Sequence, residues 1–166
     1  MRKSVLAGIL ALSFAGVLPA AAEDALVTHK TLSPATALEL ARATLADCQK
    51  RGYQISVAVT DRFGVVQVLL RDRFAGSHTV TTAIGKAYTA ASFRTNTHDL
   101  VTGTEAGSPQ AAIRNLPGVV IVGGGVLVEA SGALVGAVGV SGAPGGDADA
   151  ACAKAGIEAI RDKLDF

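Results

Sequence analysis

Residues 117–146 read PGVVIVGGGVLVEASGALVGAVGVSGAPGG, which is three aliphatic runs separated by glycine. Short runs rich in valine and leucine between glycine-containing turns are typical of β-strands. Glycine is the usual residue in such turns because it adopts positive φ angles at little cost. The stretch therefore predicts three antiparallel strands in series, at residues 119–122, 126–129 and 134–140.

A second group of strands is predicted upstream. Apolar side chains alternate with polar ones from Ile55 to Thr60, and a similar run extends from Val66 to Leu70. The intervening residues 61–64, DRFG, are short enough for a tight connection, so the two runs predict an antiparallel hairpin. Together with the three downstream strands, they predict one five-stranded antiparallel sheet.

Helical segments surround these strands. Ser33 is a good N-cap, Pro34 suits a first helical position, and Gly52 suits the end of a helix, so a helix is predicted over residues 34–51. Further helices are predicted at 79–93, 99–106 and 109–115, and from Asp147 as N-cap to about Lys163. This order predicts a single α+β domain, a sheet flanked by helices.

The first 22 residues have the layout of a cleavable signal peptide. Arg2 and Lys3 precede an apolar run over residues 5–18, and three alanines end at Ala22. The alternative is a membrane anchor, but the run is shorter than the roughly 20 residues that span a bilayer. Cleavage after Ala22 would leave residues 23–166 as a mature domain, and we expect it to be periplasmic or secreted and free of the membrane.

Charge and cysteine content narrow the function classes. Without the two basic residues of the leader, the chain has 13 Lys and Arg and 14 Asp and Glu, so no basic surface for nucleic acid is expected.

Cys48 and Cys152 each lie in a predicted helix. The sequence leaves two alternatives open for them, a disulfide in an oxidising compartment or two buried thiols.

Several catalytic and metal motifs are incomplete. Residues 139–143, GVSGA, lack the second glycine of a nucleophile elbow, which argues against a serine hydrolase. The glycine-rich segments match neither a P-loop nor a dinucleotide-binding fingerprint. The three histidines, His29, His78 and His98, lack the spacing of a local zinc site.

His78 is nevertheless a candidate ligand. Residues 74–93, FAGSHTVTTAIGKAYTAASF, predict a helix, and with Ser77 as its cap His78 would occupy the first turn. The positive end of the helix dipole there favours the neutral imidazole that binds metals. The alternative is an ordinary surface histidine in contact with solvent.

Three cations lie close to His78 in the sequence, namely Arg71, Arg73 and Lys86. Guanidinium and ammonium groups are suited to binding the carboxylates of an anionic ligand.

Separated motifs across the chain resemble the GlcG/HbpS family of haem-binding proteins, and also the C-terminal domain of PduO-type cobalamin adenosyltransferases. The resemblance extends from about Leu32 to Leu164. The motifs are AGSHT at 75–79, KAYTAASF at 86–93, VGVSGAPGGD at 138–147, Cys152 and the Ala-Gly pair at 155–156.

The resemblance implies a profilin-like domain that forms homo-oligomers and binds haem. It implies His78 as the axial iron ligand, with Arg71, Arg73 and Lys86 pairing the propionates. Haem is the expected cofactor, ahead of cobalamin. The protein would then store or deliver haem, or act as an accessory to a sensor or transporter.

An alternative follows from relatives that resemble this chain and accompany catabolic enzymes. In that case the domain is an enzyme or enzyme accessory that binds a small organic acid. Residues 123–125 and Ser141 would line its pocket at a subunit boundary. A third possibility is a purely structural oligomer, and the sequence leaves open whether any reaction is catalysed.

Overall fold

The computed structural model describes residues 26–165, so the predicted leader at 1–22 lies outside the described residues. Two short 3-10 helices, Ala111–Asn115 and Arg161–Lys163, accompany four α-helices and four strands in this part of the chain. In chain order these are α1 (Pro34–Lys50), β1 (Ser56–Asp61), β2 (Val66–Arg71), α2 (His78–Phe93), α3 (Leu100–Gly103), β3 (Gly125–Ala130), β4 (Ala133–Ser141) and α4 (Gly146–Glu158).

The strands form one antiparallel sheet in the order β2-β1-β4-β3. β1 pairs with β2, which confirms the predicted hairpin, and β3 pairs with β4, as expected for the last two of the three strands predicted in series. The two hairpins join through β1 and β4, where Val57 lies opposite Val140 and Val59 opposite Val138. These four valines are fully buried, so apolar burial at the centre of the sheet holds the hairpins together.

The predicted fifth strand at 119–122 is wrong. The amide of Val120 donates to Thr89 Oγ1 at 2.8 Å, and the carbonyl of Val122 accepts from Thr97 Oγ1 at 2.7 Å. These backbone groups are therefore paired with side chains of α2 and of the loop that follows it. The segment packs on the helix instead of joining the sheet, although its composition is that of a strand.

Helices cover both faces of the sheet. α1 and α4 pack on one face, where Leu40, Val57, Val138 and other buried apolar residues form the main core. α2 packs on the other face through small side chains, with Ala83 and Ala87 against the sheet. Gly139 permits this close approach, because a Cβ there would lie 2.1 Å from the carbonyl oxygen of Ala83.

A disulfide joins α1 to α4. Cys48 and Cys152 are fully buried, with their Cα atoms 5.4 Å apart and their sulfurs bonded. Of the two alternatives that the sequence left open, the structure therefore shows the disulfide. The bond lies on the face of the sheet opposite α2.

Helix boundaries differ from the prediction mainly in the second half of the chain. Ser33 caps α1 as expected, and its hydroxyl accepts from the amide of Thr36 at 3.2 Å. α4 begins at Gly146 after Gly145, and Asp147 lies inside its first turn instead of capping it. The helices predicted over 99–106 and 109–115 are only α3 and one 3-10 turn. No helix within residues 26–165 is long and apolar enough to cross a membrane.

Candidate ligand-binding site

A cavity of about 620 Å³ lies where α2 begins, β4 ends and α4 begins. Its volume is within the range of small-molecule and cofactor sites. The loop that follows α1 also borders the cavity, through residues 52–54. The chemically informative side chains on its wall are those of Tyr53, Gln54, Phe74, His78, Lys86, Ser141 and Asp149.

His78 is the first residue of α2, and its side chain is exposed to solvent at this cavity. The imidazole ring lies directly over Gly76, since a Cβ on Gly76 would be 2.7 Å from Cε1 and 2.9 Å from Nδ1. The predicted cap at Ser77 makes no capping hydrogen bond. Thr79 stabilises the turn instead, because its hydroxyl donates to the carbonyl of Gly76 at 2.6 Å.

Lys86 and Asp149 form a buried ion pair in the cavity wall. Lys86 is 2% exposed, and its Nζ donates to Asp149 Oδ2 at 2.7 Å and to the carbonyl of Val140 at 2.9 Å. Asp149 Oδ1 accepts from the amide of Ala143 at 3.0 Å. Burial raises the pKa of Asp149 above its usual range, and the hydrogen bond and charge of Lys86 oppose that rise.

The structure brings together only two of the four predicted site residues. His78 and Lys86 border the cavity, whereas Arg71 and Arg73 are not among its lining residues. Arg71 donates to the carbonyl of Ala75, and the guanidinium of Arg73 lies 4.8 Å from the ring centroid of Phe74. Phe74 itself borders the cavity, so Arg73 is one residue away from the wall.

The residues predicted to line an organic-acid pocket are also separated, because they border two different cavities. Ser141 borders the cavity of about 620 Å³, but Gly124 and Gly125 border a separate cavity of about 270 Å³. His98 also borders that smaller cavity, with its Nδ1 3.2 Å from Asp147 Oδ1 on an exposed surface.

Sequence reasoning missed Gln54, Phe74 and Asp149 as parts of the site. The partner of Lys86 is 63 residues further along the chain, so no local spacing reveals the pair. One signal was present, namely an aspartate in the first turn of an alanine-rich helix, on the face that carries Cys152 three residues later.

The donor set limits how iron could be held. No group of three or more His, Cys, Asp or Glu able to hold a metal ion is found among residues 26–165. Both cysteines are in the disulfide, so neither is a thiolate. On the cavity wall, His78 and Tyr53 are the side chains of types that ligate haem iron.

A family model described as "Haem degrading protein HbpS-like" matches residues 32–158. The chain belongs to the HbpS-like family. This confirms the resemblance to HbpS relatives. The matched region contains α1, α2, α4 and the four strands described in this HbpS-like chain.

Solved structures agree with this membership. The crystal structure of a double mutant of HbpS from Streptomyces reticuli is 33% identical, with a TM-score of 0.76 over 95% of this chain and 99% of that chain. The structure of a PduOC and haem complex is 29% identical, with a TM-score of 0.74 over 78% of this chain and 95% of that one. The protein ORFY from Klebsiella pneumoniae is 23% identical with a TM-score of 0.80, which shows the shared fold.

A curated relative comes from Citrobacter freundii. It is described as an uncharacterized 15.0 kDa protein in the dhaT-dhaS intergenic region. The two sequences are 32% identical over 116 residues, which cover 68% of this chain and 80% of the relative.

Proposed function

We propose that this protein binds haem in the cavity at the start of α2, with His78 as the axial ligand of the iron. The observation that carries the proposal is an exposed imidazole on the wall of a cavity of about 620 Å³. Membership of the HbpS-like family and similarity to a protein crystallised with haem support the choice of ligand.

The residues of the cavity fit a haem group. His78 offers a ring nitrogen, the usual proximal ligand where haem binds a single histidine. Phe74 offers an aromatic surface, while Lys86 and Ser141 place polar groups elsewhere on the wall. A bound haem would supply an iron centre, and the chain would position it through His78 and shield one side of it from water.

Hemin titration of the purified protein tests this assignment. We expect a Soret band to develop with the native protein and to be lost or strongly shifted with His78→Ala. His98→Ala is the matched control, because His98 is also an exposed histidine but borders the smaller cavity. An unchanged titration with His78→Ala would overturn the assignment of this ligand. Following the spectra over hours also tests haem degradation, the activity in the family's description, since a broken porphyrin loses its Soret absorbance.

We also propose that the protein is exported and works in the periplasm or outside the cell. The leader predicted at 1–22 and the disulfide between Cys48 and Cys152 support this, because disulfides persist mainly in oxidising compartments. In such a place the protein would store haem, deliver it or serve a haem-sensing partner.

We further propose that several copies associate. Apolar side chains are exposed in the turn that joins β1 to β2 and in the segment that precedes β3, among them Phe63, Val65, Leu116 and Val122. Exposed apolar surface of this kind marks interfaces. Light scattering of the purified protein would give the mass of the assembly, and a monomer at micromolar concentration would contradict this part of the proposal.

A further inference from the structure

The two edges of the sheet differ in how their outer backbone groups are paired. β3 forms one edge, and the segment that follows α2 covers it. The amide of Leu127 donates to Asn96 Oδ1 at 3.0 Å, and the carbonyl of Gly125 accepts from the amide of Thr97 at 3.0 Å. β2 forms the other edge. Because native proteins normally cover or interrupt a sheet edge, an uncovered one is a candidate docking surface.

The outer side of β2 has free backbone groups. The amide of Asp72 donates to the carbonyl of Ile55 at 2.9 Å, so Asp72 directs this group towards the strand β1. This direction alternates along antiparallel strands, and Leu69 and Arg71 therefore direct their backbone groups away from β1. Among residues 26–165, no hydrogen-bond partner is found for the amides and carbonyls of these two residues. Each can pair with a further strand through one donor and one acceptor.

The side chains of β2 suit an apolar neighbour. Val66 and Leu69 are each 38% exposed, although both are large apolar residues. The register shift lies at the turn end of the strand, so β2 is regular from Val68 to Arg71. The strand has no proline, and its one charged residue is the last. Proline and charge are the usual features that prevent edge pairing, and the centre of β2 lacks both.

The charges beside this edge favour an acidic neighbour. Arg62 precedes β2 and Arg73 follows it, and neither guanidinium forms an ion pair within residues 26–165. The nearby acids are engaged, since Asp61 accepts from two amides of its own turn and Asp72 accepts from Gln49. β2 has six residues and is roughly 20 Å long, so an uncompensated arginine lies beyond each end of a short strand.

A second copy of this chain fits the edge less well. Two copies of one edge strand would pair antiparallel about a two-fold axis. The start of β2 in one copy would then lie beside the end of β2 in the other, so Arg62 of one copy and Arg73 of the other would meet at both ends. Like charges on neighbouring strands are unfavourable. A segment with acids at its ends compensates both arginines instead.

We propose that the outer edge of β2 binds an extended, acidic segment of a partner protein, which adds to the sheet as a further strand. Leu69 and Arg71 form the main-chain hydrogen bonds. Apolar side chains of the segment cover Val66 and Leu69. Its carboxylates pair with Arg62 and Arg73. This surface is separate from the proposed haem site, because no residue of β2 borders that cavity.

Fluorescence anisotropy with two synthetic peptides tests this docking surface. Both peptides alternate valine with threonine, but one carries aspartate at its ends and the other carries lysine. We expect the acidic peptide to bind more tightly, and its binding to weaken as salt is added, because the paired charges are exposed. In NMR spectra, the acidic peptide should shift the amide signals of Leu69 and Arg71, whose N–H groups it would engage.

Two variants identify the surface. Leu69→Pro removes an outward amide but no hydrogen bond to β1, and it should weaken binding of the acidic peptide by roughly tenfold or more, since the ring also obstructs a neighbouring strand. Arg62→Glu combined with Arg73→Glu should reverse the preference between the two peptides, and it decides the question if Leu69→Pro does not fold. Lys154→Glu is the matched control, because Lys154 is an exposed cation beside β3 at the other edge.

The outcomes are distinct. Equal binding of the two peptides, no binding of either, or binding that neither variant changes would overturn the proposal. Light scattering tests the other occupant, because a native dimer that Leu69→Pro converts to a monomer would assign the edge to a second copy and also overturn the proposal. None of these samples contains hemin, so the haem assignment is judged separately.

Discussion

Gly76 governs where the His78 imidazole can lie. The ring rests on the Gly76 Cα, and an added methyl group would overlap Cε1 and Nδ1 at 2.7 and 2.9 Å. The ring is the end of a rotatable side chain, so it can move away without disturbing the fold. We therefore expect Gly76→Ala to fold normally but to bind hemin more weakly, with a shifted Soret maximum.

Gly103→Ala is the control for this change. Gly103 lies in α3, and a Cβ there would meet only Gln110 Oε1 at 3.5 Å, an ordinary contact distance. Unaltered hemin spectra for Gly76→Ala would show that the position of the His78 ring does not matter for binding.

Lys86 stabilises the fold because it compensates Asp149. Lys86→Met keeps the length of the side chain but leaves a buried carboxylate without its partner, which typically costs about 3–5 kcal/mol of unfolding free energy. Arg51→Met is the control, because the Arg51 and Asp47 pair is exposed and should matter far less. Urea unfolding gives both values, and a small loss for Lys86→Met would contradict a structural role for the pair.

The folding stability of Lys86→Met should depend on pH differently from that of the native protein. Burial raises the pKa of Asp149, and without Lys86 the main opposing influence is gone. The folded variant would then hold a proton that the unfolded chain releases above about pH 4. Its stability relative to the native protein should therefore fall as the pH rises from about 4.5 to 7.5. A difference that stays constant over this range would mean that Asp149 does not titrate in the variant.

Single residues were predictable where local sequence carries the information. The position of His78 at the start of a helix followed from residues 74–93, and the structure begins α2 at that residue. The pairing of Lys86 with Asp149 was not predictable, since the fold brings these residues together from separate helices. The sequence therefore predicts Lys86 as a partner for the carboxylates of a ligand, whereas its ammonium is already bonded to Asp149 and Val140 in the protein.

At the scale of elements, the disulfide is the strongest link between α1 and α4. It joins residues separated by 104 positions, and closing a loop of about 100 residues is worth about 4.7 kcal/mol in the chain-entropy model. We expect the double change Cys48→Ala and Cys152→Ala to lower the unfolding free energy by about 2–5 kcal/mol. Reducing agent should destabilise the native protein alone, and equal sensitivity of both proteins would contradict a structural disulfide.

The two hairpins were more predictable than residues 119–122, the segment that precedes β3. Both hairpins appear in the structure within about a residue of their predicted limits, because alternation and tight turns are local properties. Residues 119–122 have the composition of a strand, but their hydrogen-bond partners are threonines on α2 and on the loop that follows it. Composition alone cannot distinguish an aliphatic segment that pairs with strands from one that packs on a helix.

At the scale of the whole molecule, export predicts a processed N-terminus. If the leader is removed after Ala22, mass spectrometry of protein recovered from the periplasm or medium should show a chain that begins at Glu23. Ala20→Leu together with Ala22→Leu should block processing, because small residues are required at the cleavage site. An uncleaved native chain would contradict the predicted leader.

The central claim is that haem lies in the cavity between α2 and α4 with its iron on His78. A crystal structure of the native protein grown with hemin tests it most directly. We expect iron bonded to a ring nitrogen of His78, with the porphyrin beside Phe74. Haem held by Tyr53, or seated in another part of the molecule with His78 free, would contradict the claim.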